Sequence, residues 1–167
     1  MRIKDEQLKR FVIDSGLVPR KDLDSAEKKA KEQKVPVATV LVNEGSISVD
    51  DLRRIESYVL GIPFISLADK KIDFDVLSLI PEPVARNHNI IAFKKHADAL
   101  EVAMLDTADL PAIDFIKKKA GLRILPRLTT PESIHFALTQ YQKSLEAEFG
   151  EIIKKESNTA TLEISKQ

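Results

Sequence analysis

Cysteine is missing from all 167 residues. That excludes disulfides, thiolate metal sites and cysteine nucleophiles together, and it fits a reducing compartment. Tryptophan is missing too, and aromatic residues make up only 5% of the chain. This is thin material for stacking bases, so no nucleic acid is expected as a partner. Neither sign of charge prevails, since Lys+Arg and Asp+Glu both number 26. The whole-chain field therefore attracts neither nucleic acid nor an anionic membrane. No apolar run approaches the ~20 residues of a membrane helix. The stretch Met1-Arg2-Ile3-Lys4-Asp5-Glu6 lacks the apolar core of a signal peptide. The expectation is a cytoplasmic protein with no direct membrane insertion, peripheral at a membrane only through partners.

Catalytic groupings are as scarce. Gly16, Gly45, Gly61, Gly121 and Gly150 stand singly, and none opens a G-x-x-x-x-G-K-[S/T] phosphate loop. There is no G-x-S-x-G elbow. His88, His96 and His135 have no partner at the spacing of a metal site and read as surface or helix-terminus side chains. The carboxylate pairs Asp73/Asp75 and Asp106/Asp109 fall at turns and helix starts, where capping accounts for them. Lys117-Lys118-Lys119 reads as a solvated helix end beside the carbonyl pole of the helix dipole. No catalytic residue, no metal and no enzymatic activity are expected.

What the chain does have is an internal repeat. Leu8, Val12-Ile13, Gly16, Val18, Asp22-Leu23, Ala26 and Glu27 recur without a gap as Val37, Leu41-Val42, Gly45, Ile47, Asp51-Leu52, Ile55 and Glu56, a 29-residue spacing. Each copy reads as helix, glycine turn, helix, because one copy alone cannot bury its apolar stripe. In the second copy Val37, Val40 and Leu41 share a face, and Gly45 stops the helix. Ser48-x-x-Asp51 then starts a helix carrying Val49, Leu52, Ile55 and Val59 on one stripe. In the first copy Leu8, Phe11 and Val12 form the stripe, Gly16 is the stop, and Leu23, Ala26 and Ala30 face inward.

Past Gly61 the pattern changes. Phe64-Ile65-Ser66-Leu67 reads as a strand, and Asp73 to Ile80 as a short helix ended by Pro81 and Pro83. Ile90–Phe93 and Leu100–Leu105 are strand-like, joined by a polar hairpin connection. Asp109 caps a helix running to Lys119, with Ile113 and Ile116 inward and Gly121 as its stop. Leu122–Leu128 is a further strand, placed at a sheet edge or bulge by Pro126. Thr130-Pro131-Glu132 opens a helix carrying Ile134, Ala137, Leu138 and Tyr141. The fold class expected is α+β: a four-helix unit built from the tandem repeat, then a small mixed α/β unit with a three- to four-stranded sheet. The expected divisions are 1–61, helical; 62–142, α/β; and 143–167, a charged helix extension to about Lys155 and a linker tail.

The repeat, followed by Leu60-Gly61-Ile62-Pro63-Phe64-Ile65-Ser66-Leu67, resembles the amino-terminal domain of type II secretion and type IV pilus assembly ATPases. Val102–Thr107, Ala112-Ile113-Asp114, Gly121-Leu122-Arg123 and Ile134–Leu138 fall where that family has its strand, helix, strand and helix. The resemblance covers roughly residues 5 to 142. It implies a non-catalytic docking and regulatory domain that binds inner-membrane platform or adaptor subunits and precedes a C-terminal ATPase motor domain. A subset of the family binds cyclic di-GMP on the tandem repeat, which leaves a sensor controlling the motor as the alternative. The aliphatic frame implied for that ligand is Leu8, Val12, Ile13, Gly16, Leu17, Val18 and Leu23 in the first copy. In the second it is Val37, Leu41, Val42, Gly45, Ile47 and Leu52. The polar positions differ: the family's arginine is replaced by Gln7 and Pro36, its close-approach glycine by Lys9 and Ala38, and its closing glutamine by Ala30 and Val59. An arginine fork gives bidentate, charge-assisted bonds that neither glutamine nor proline supplies.

Overall fold

A computed structural model of the chain describes residues 3–143. The repeat forms α1 (Asp5–Ser15), α2 (Arg20–Gln33), α3 (Val37–Asn43) and α4 (Val49–Leu60). The expected start of α4 is a reciprocal capping box: Asp51 N–H donates to Ser48 Oγ and Ser48 N–H to Asp51 Oδ2, both at 3.0 Å. Two donors that the first helical turn would leave unpaired are thereby satisfied. Leu8, Val12, Val18, Leu23, Ala26, Ala30, Val37, Val40, Leu41, Ile47 and Ile55 bury against one another as one apolar cluster. One member of the expected α4 stripe departs from it. Val49 is 42% exposed, because it is the first residue after the cap and precedes the turn that packs.

The second part contains α5 (Phe74–Leu77), α6 (Glu82–His88), β1 (Ile90–Lys95), β2 (Ala99–Met104), α7 (Leu110–Ala120) and β3 (Arg123–Leu128). A further helix, α8, occupies 131–143. The strands lie in the order β1-β2-β3, with β1 and β2 antiparallel and β2 and β3 parallel. The sheet is thus mixed and the architecture α+β. A separate apolar cluster gathers Ile90, Ile91, Leu100, Val102, Met104 and Ile116 with Leu77, Ile80, Ile134 and Tyr141.

Two expectations need correcting. Pro81 and Pro83 do not end one helix; α5 stops at Leu77, and Pro83 sits in the first turn of α6. That turn has no use for the N–H that proline lacks, so the residue read as a terminator is an initiator. The run Phe64–Leu67 is not a strand of the sheet. It makes one isolated bridge, Phe64 to Leu128, held by Ile65 N–H on Leu128 O at 2.9 Å and Leu128 N–H on Pro63 O at 2.8 Å. The ladder stops on both sides for chemical reasons. Pro126 offers no N–H for the preceding rung. Past the bridge, Thr129 Oγ1 donates to Ile65 O at 2.6 Å, and Leu67 N–H goes to Ser133 Oγ at 2.9 Å. Pro126 accordingly lies on an edge strand, as its chemistry requires. The helix extension and tail expected after Lys143 lie outside the described residues.

α8 is pinned to α5 and the turn after it by one phenol. The Tyr141 hydroxyl lies 3.0 Å from Leu77 O and 2.7 Å from Ile80 O, and burial pushes its pKa well above the ordinary phenol value. Tyr141→Phe removes that donor while keeping the ring, and is expected to cost about 1.5 kcal/mol. Urea denaturation checks this, and an unchanged midpoint would show the hydroxyl to be dispensable.

Candidate functional site

The repeat ends the first helix of each copy at a glycine with positive φ, +68° at Gly16 and +75° at Gly45. A Cβ built at either position would meet nothing within 4 Å. These glycines serve the left-handed turn, and no close approach of another group depends on them.

Most of the aliphatic frame is core. Leu8, Val12, Val18, Leu23, Val37, Leu41 and Ile47 are buried in the helical cluster, with Val42 and Leu52 packed half-buried against it. Ile13 and Leu17 instead point outward, 38% and 43% exposed. The structure therefore brings most of these residues together with each other, and few of them face a concave surface.

A shallow cleft of about 330 Å³ opens on α1 alone, bounded by Glu6, Lys9, Arg10, Ile13 and Asp14, and two further clefts of the repeat involve more than one helix. The larger, of about 430 Å³, is bounded by Ile3, Asp5 and Leu8, by Pro36, Ala38 and Thr39 around the start of α3, and by Val49, Leu52, Arg53 and Glu56 of α4. Leu105 and Asp106, just beyond β2, close it, so it lies where the helical repeat meets the sheet. The smaller, of about 320 Å³, lies between α1 and α2 and is lined by Asp5, Glu6, Lys9, Glu27, Ala30, Lys31, Val35 and Val37. Four of the six positions at which the resemblance places ligand-reading groups fall here, and Val59 packs against the helical core instead. Pro36 and Ala38 line the larger cleft, Lys9 and Ala30 the smaller. Gln7 is occupied elsewhere, its Oε1 accepting from Lys4 N–H at 3.0 Å to cap α1.

The electrostatics of these clefts follow from their pairings. Arg53 Nη1 donates to Glu56 Oε2 at 3.2 Å and to Leu105 O at 3.0 Å. One guanidinium thus ties α4 to the end of β2 and is already neutralised. Among the described lining residues of the larger cleft, Asp5, Glu56 and Asp106 are the carboxylates and Arg53 the cation. In the smaller cleft Lys9 Nζ pairs with Glu27 Oε1 at 2.9 Å. Pro36 and Ala38 offer no polar side chain to a phosphodiester, and the Arg53 guanidinium is already bonded within the fold.

Sequence reasoning missed Arg53, Glu56 and Asp106 as cleft residues. The signal available was slight: Arg53 and Glu56 stand at an i, i+3 spacing on a helix that is otherwise read by its apolar stripe.

Among known proteins, the family model of the MshEN domain matches residues 60–148, just over half of the chain. The chain belongs to the MshEN domain family. The matched span opens at the last residue of α4 and takes in the whole sheet, so the tandem repeat lies before it. The MshEN domain described here is 27% identical over 135 residues to the type IV pilus assembly ATPase PilB of Myxococcus xanthus, covering 81% of this chain and 24% of that protein. It is 26% identical over 147 residues to PilB of Thermus thermophilus, covering 87% of this chain and 16% of that protein. The chain thus spans a quarter or less of the curated relatives it matches. In fold it is similar to a structure of MshE with cdg, cyclic di-GMP, at a TM-score of 0.64 and 21% identity, covering 84% of this chain and 99% of that one. It is also similar to the N-terminal domain of XpsE, at a TM-score of 0.50 and 16% identity, covering 83% and 96%. This MshEN domain carries no ATPase core, and no described helix is long and apolar enough to cross a membrane.

Proposed function

We propose that this MshEN domain is the non-catalytic docking and regulatory part of a type IV pilus or type II secretion assembly ATPase. It binds inner-membrane platform or adaptor subunits from the cytoplasmic side and positions a C-terminal motor. The observation that carries this choice over a nucleotide sensor is the larger cleft. Its arginine is bonded to Glu56 and Leu105 O, and proline and alanine stand where the resemblance calls for ligand-reading groups. The aliphatic frame of the repeat is retained as a packing scaffold. Deleting residues 1–142 from a motor-bearing protein is expected to abolish assembly, and pull-down with the machine's inner-membrane subunits should be lost with it. Normal piliation or secretion after the deletion overturns the reading.

The second reading is cyclic di-GMP control of the motor. It is supported by the likeness in fold to MshE with cdg and by the repeat that the resemblance ties to that ligand. Calorimetry with cyclic di-GMP separates the two. Docking without sensing predicts binding weaker than about 1 mM, a free energy of only ~4 kcal/mol. Micromolar binding would make the sensor the correct reading.

A further inference from the structure

The chain is neutral as a whole, yet the fold segregates its charge. β3 starts beside the start of β2, with Arg123 opposite Ala99 and Arg123 N–H on Asp98 O at 3.0 Å. α7 runs directly into β3 through Gly121 and Leu122, and the β1–β2 hairpin turns at the same end of the sheet. Segments far apart in sequence therefore place Lys94, Lys95, Lys117, Lys118, Lys119 and Arg123 at one pole, all exposed. The acidic residues these elements bring to that end are Asp98, Glu101 and Asp114. Glu101 is committed internally, accepting from Arg127 Nε at 3.0 Å and lying 2.8 Å from His96 Nε2. Those contacts, His96 first, hold its carboxyl below the usual range. Asp98 pairs with Arg123 at 3.5 Å. The lysines have no ion pair among the described residues.

One apolar ring, Phe115, lies beside these cations, while Leu110 stands at the far end of α7. Leu110 is 63% and Phe115 48% exposed on α7, and Lys119 Nζ sits 5.9 Å from the centre of the Phe115 ring. Pro111, Phe115, Lys118 and Lys119 follow one another at i, i+4 and i+7/i+8 on one helix face. Exposed lysines around an exposed aromatic ring are the composition of an interfacial membrane contact. The choice of lysine is informative as well. Recognition of individual carboxylates on a protein partner favours the planar arginine fork, and the arginine at this pole, Arg123, already faces Asp98. Flexible point charges suit a diffuse anionic field.

We propose that this pole of the MshEN domain, formed by the end of α7, the start of β3 and the β1–β2 hairpin, binds the surface of an anionic lipid bilayer directly. The contact is peripheral, with Phe115 at the headgroup level and the lysines in the surface field. The test is co-sedimentation of the full chain with vesicles of phosphatidylcholine alone and of phosphatidylcholine mixed equally with phosphatidylglycerol. Binding is expected to the mixed vesicles only, and to fall steeply as salt is raised. The triple variant K117E/K118E/K119E and, on a separate element, K94E/K95E should each weaken it by at least about fivefold per lysine. Phe115→Ser should weaken it while leaving its salt dependence unchanged. The control K21E/K28E, on exposed positions of α2, should bind as the parent does, with circular dichroism establishing the fold of each variant. If the helix-end triple variant is destabilised, the strand-end pair still decides. Absence of binding to the mixed vesicles at low salt overturns the proposal, as do equal binding to neutral vesicles and equal weakening by the α2 control. So does capture of a poly-glutamate peptide without capture of vesicles, which would assign the pole to an acidic protein instead.

Discussion

Leu41→Ala is expected to lower the unfolding free energy by about 3 kcal/mol, read as a shift in the urea midpoint at unchanged slope. Leu41 is 0% exposed on α3, inside the cluster that joins both copies of the repeat. Truncation removes its transfer free energy and leaves a cavity that the backbone closes only partly. Ile13→Ala and Leu17→Ala, at outward positions of the same frame, should stay within about 0.5 kcal/mol. The contrast bears directly on what the frame does. A frame kept for packing loses stability where it is buried and nothing where it is exposed. A frame kept to grip a ligand would place its sensitivity at the exposed members and show it in binding. A stable Leu41→Ala protein would sink the packing account.

Arg53→Ala should cost about 2 kcal/mol, although no apolar core residue is touched. Its guanidinium is the donor to Leu105 O and the salt-bridge partner of Glu56, with side chains 19% and 11% exposed respectively. Removing it takes one charged partner from a largely buried carboxylate and the guanidinium donor from a carbonyl. Arg53→Met keeps the aliphatic stem and should recover little, since the lost part is polar. Pairing Arg53→Met with Glu56→Gln removes both charges and should recover much of the loss. Urea denaturation of the two single variants and the double variant measures that coupling. Strict additivity would mean that the pair holds no energy between α4 and the end of β2.

The helices of the repeat were legible because their stop and start signals are local. Gly16 supplies a positive φ after α1, and Ser48 and Asp51 cap α4 within four residues of each other. The hairpin and α7 were legible for the same reason, through alternation, the Asp109 cap and the Gly121 stop. Pro83 misled because one proline is equally compatible with ending a helix and with opening one; which occurs depends on whether its neighbours bury. Phe64–Leu67 misled because strand pairing is a property of two segments. Its would-be partner carries Pro126, and its polar groups go to Thr129 and Ser133.

The larger cleft and the basic pole were not legible, and the reason is sequence separation. Arg53 and the carbonyl it holds stand 52 positions apart. Lys94 and Lys117 meet at one end of the sheet only because β3 returns in parallel beside β2 after α7. Lys117-Lys118-Lys119 reads correctly along the chain as a helix end beside the carbonyl pole, yet that reading says nothing of Lys94, Lys95 or Arg123.

By itself the sequence determined most of the elements, the doubled helical unit and the absence of a phosphate loop, because these follow from residue periodicity, capping and local backbone preference. Tertiary structure alone decided which frame residues became core, which carboxylates surround the cleft, and where a neutral chain concentrates its positive charge. Those depend on distances between residues remote in sequence, and such distances are set when apolar faces bury against each other.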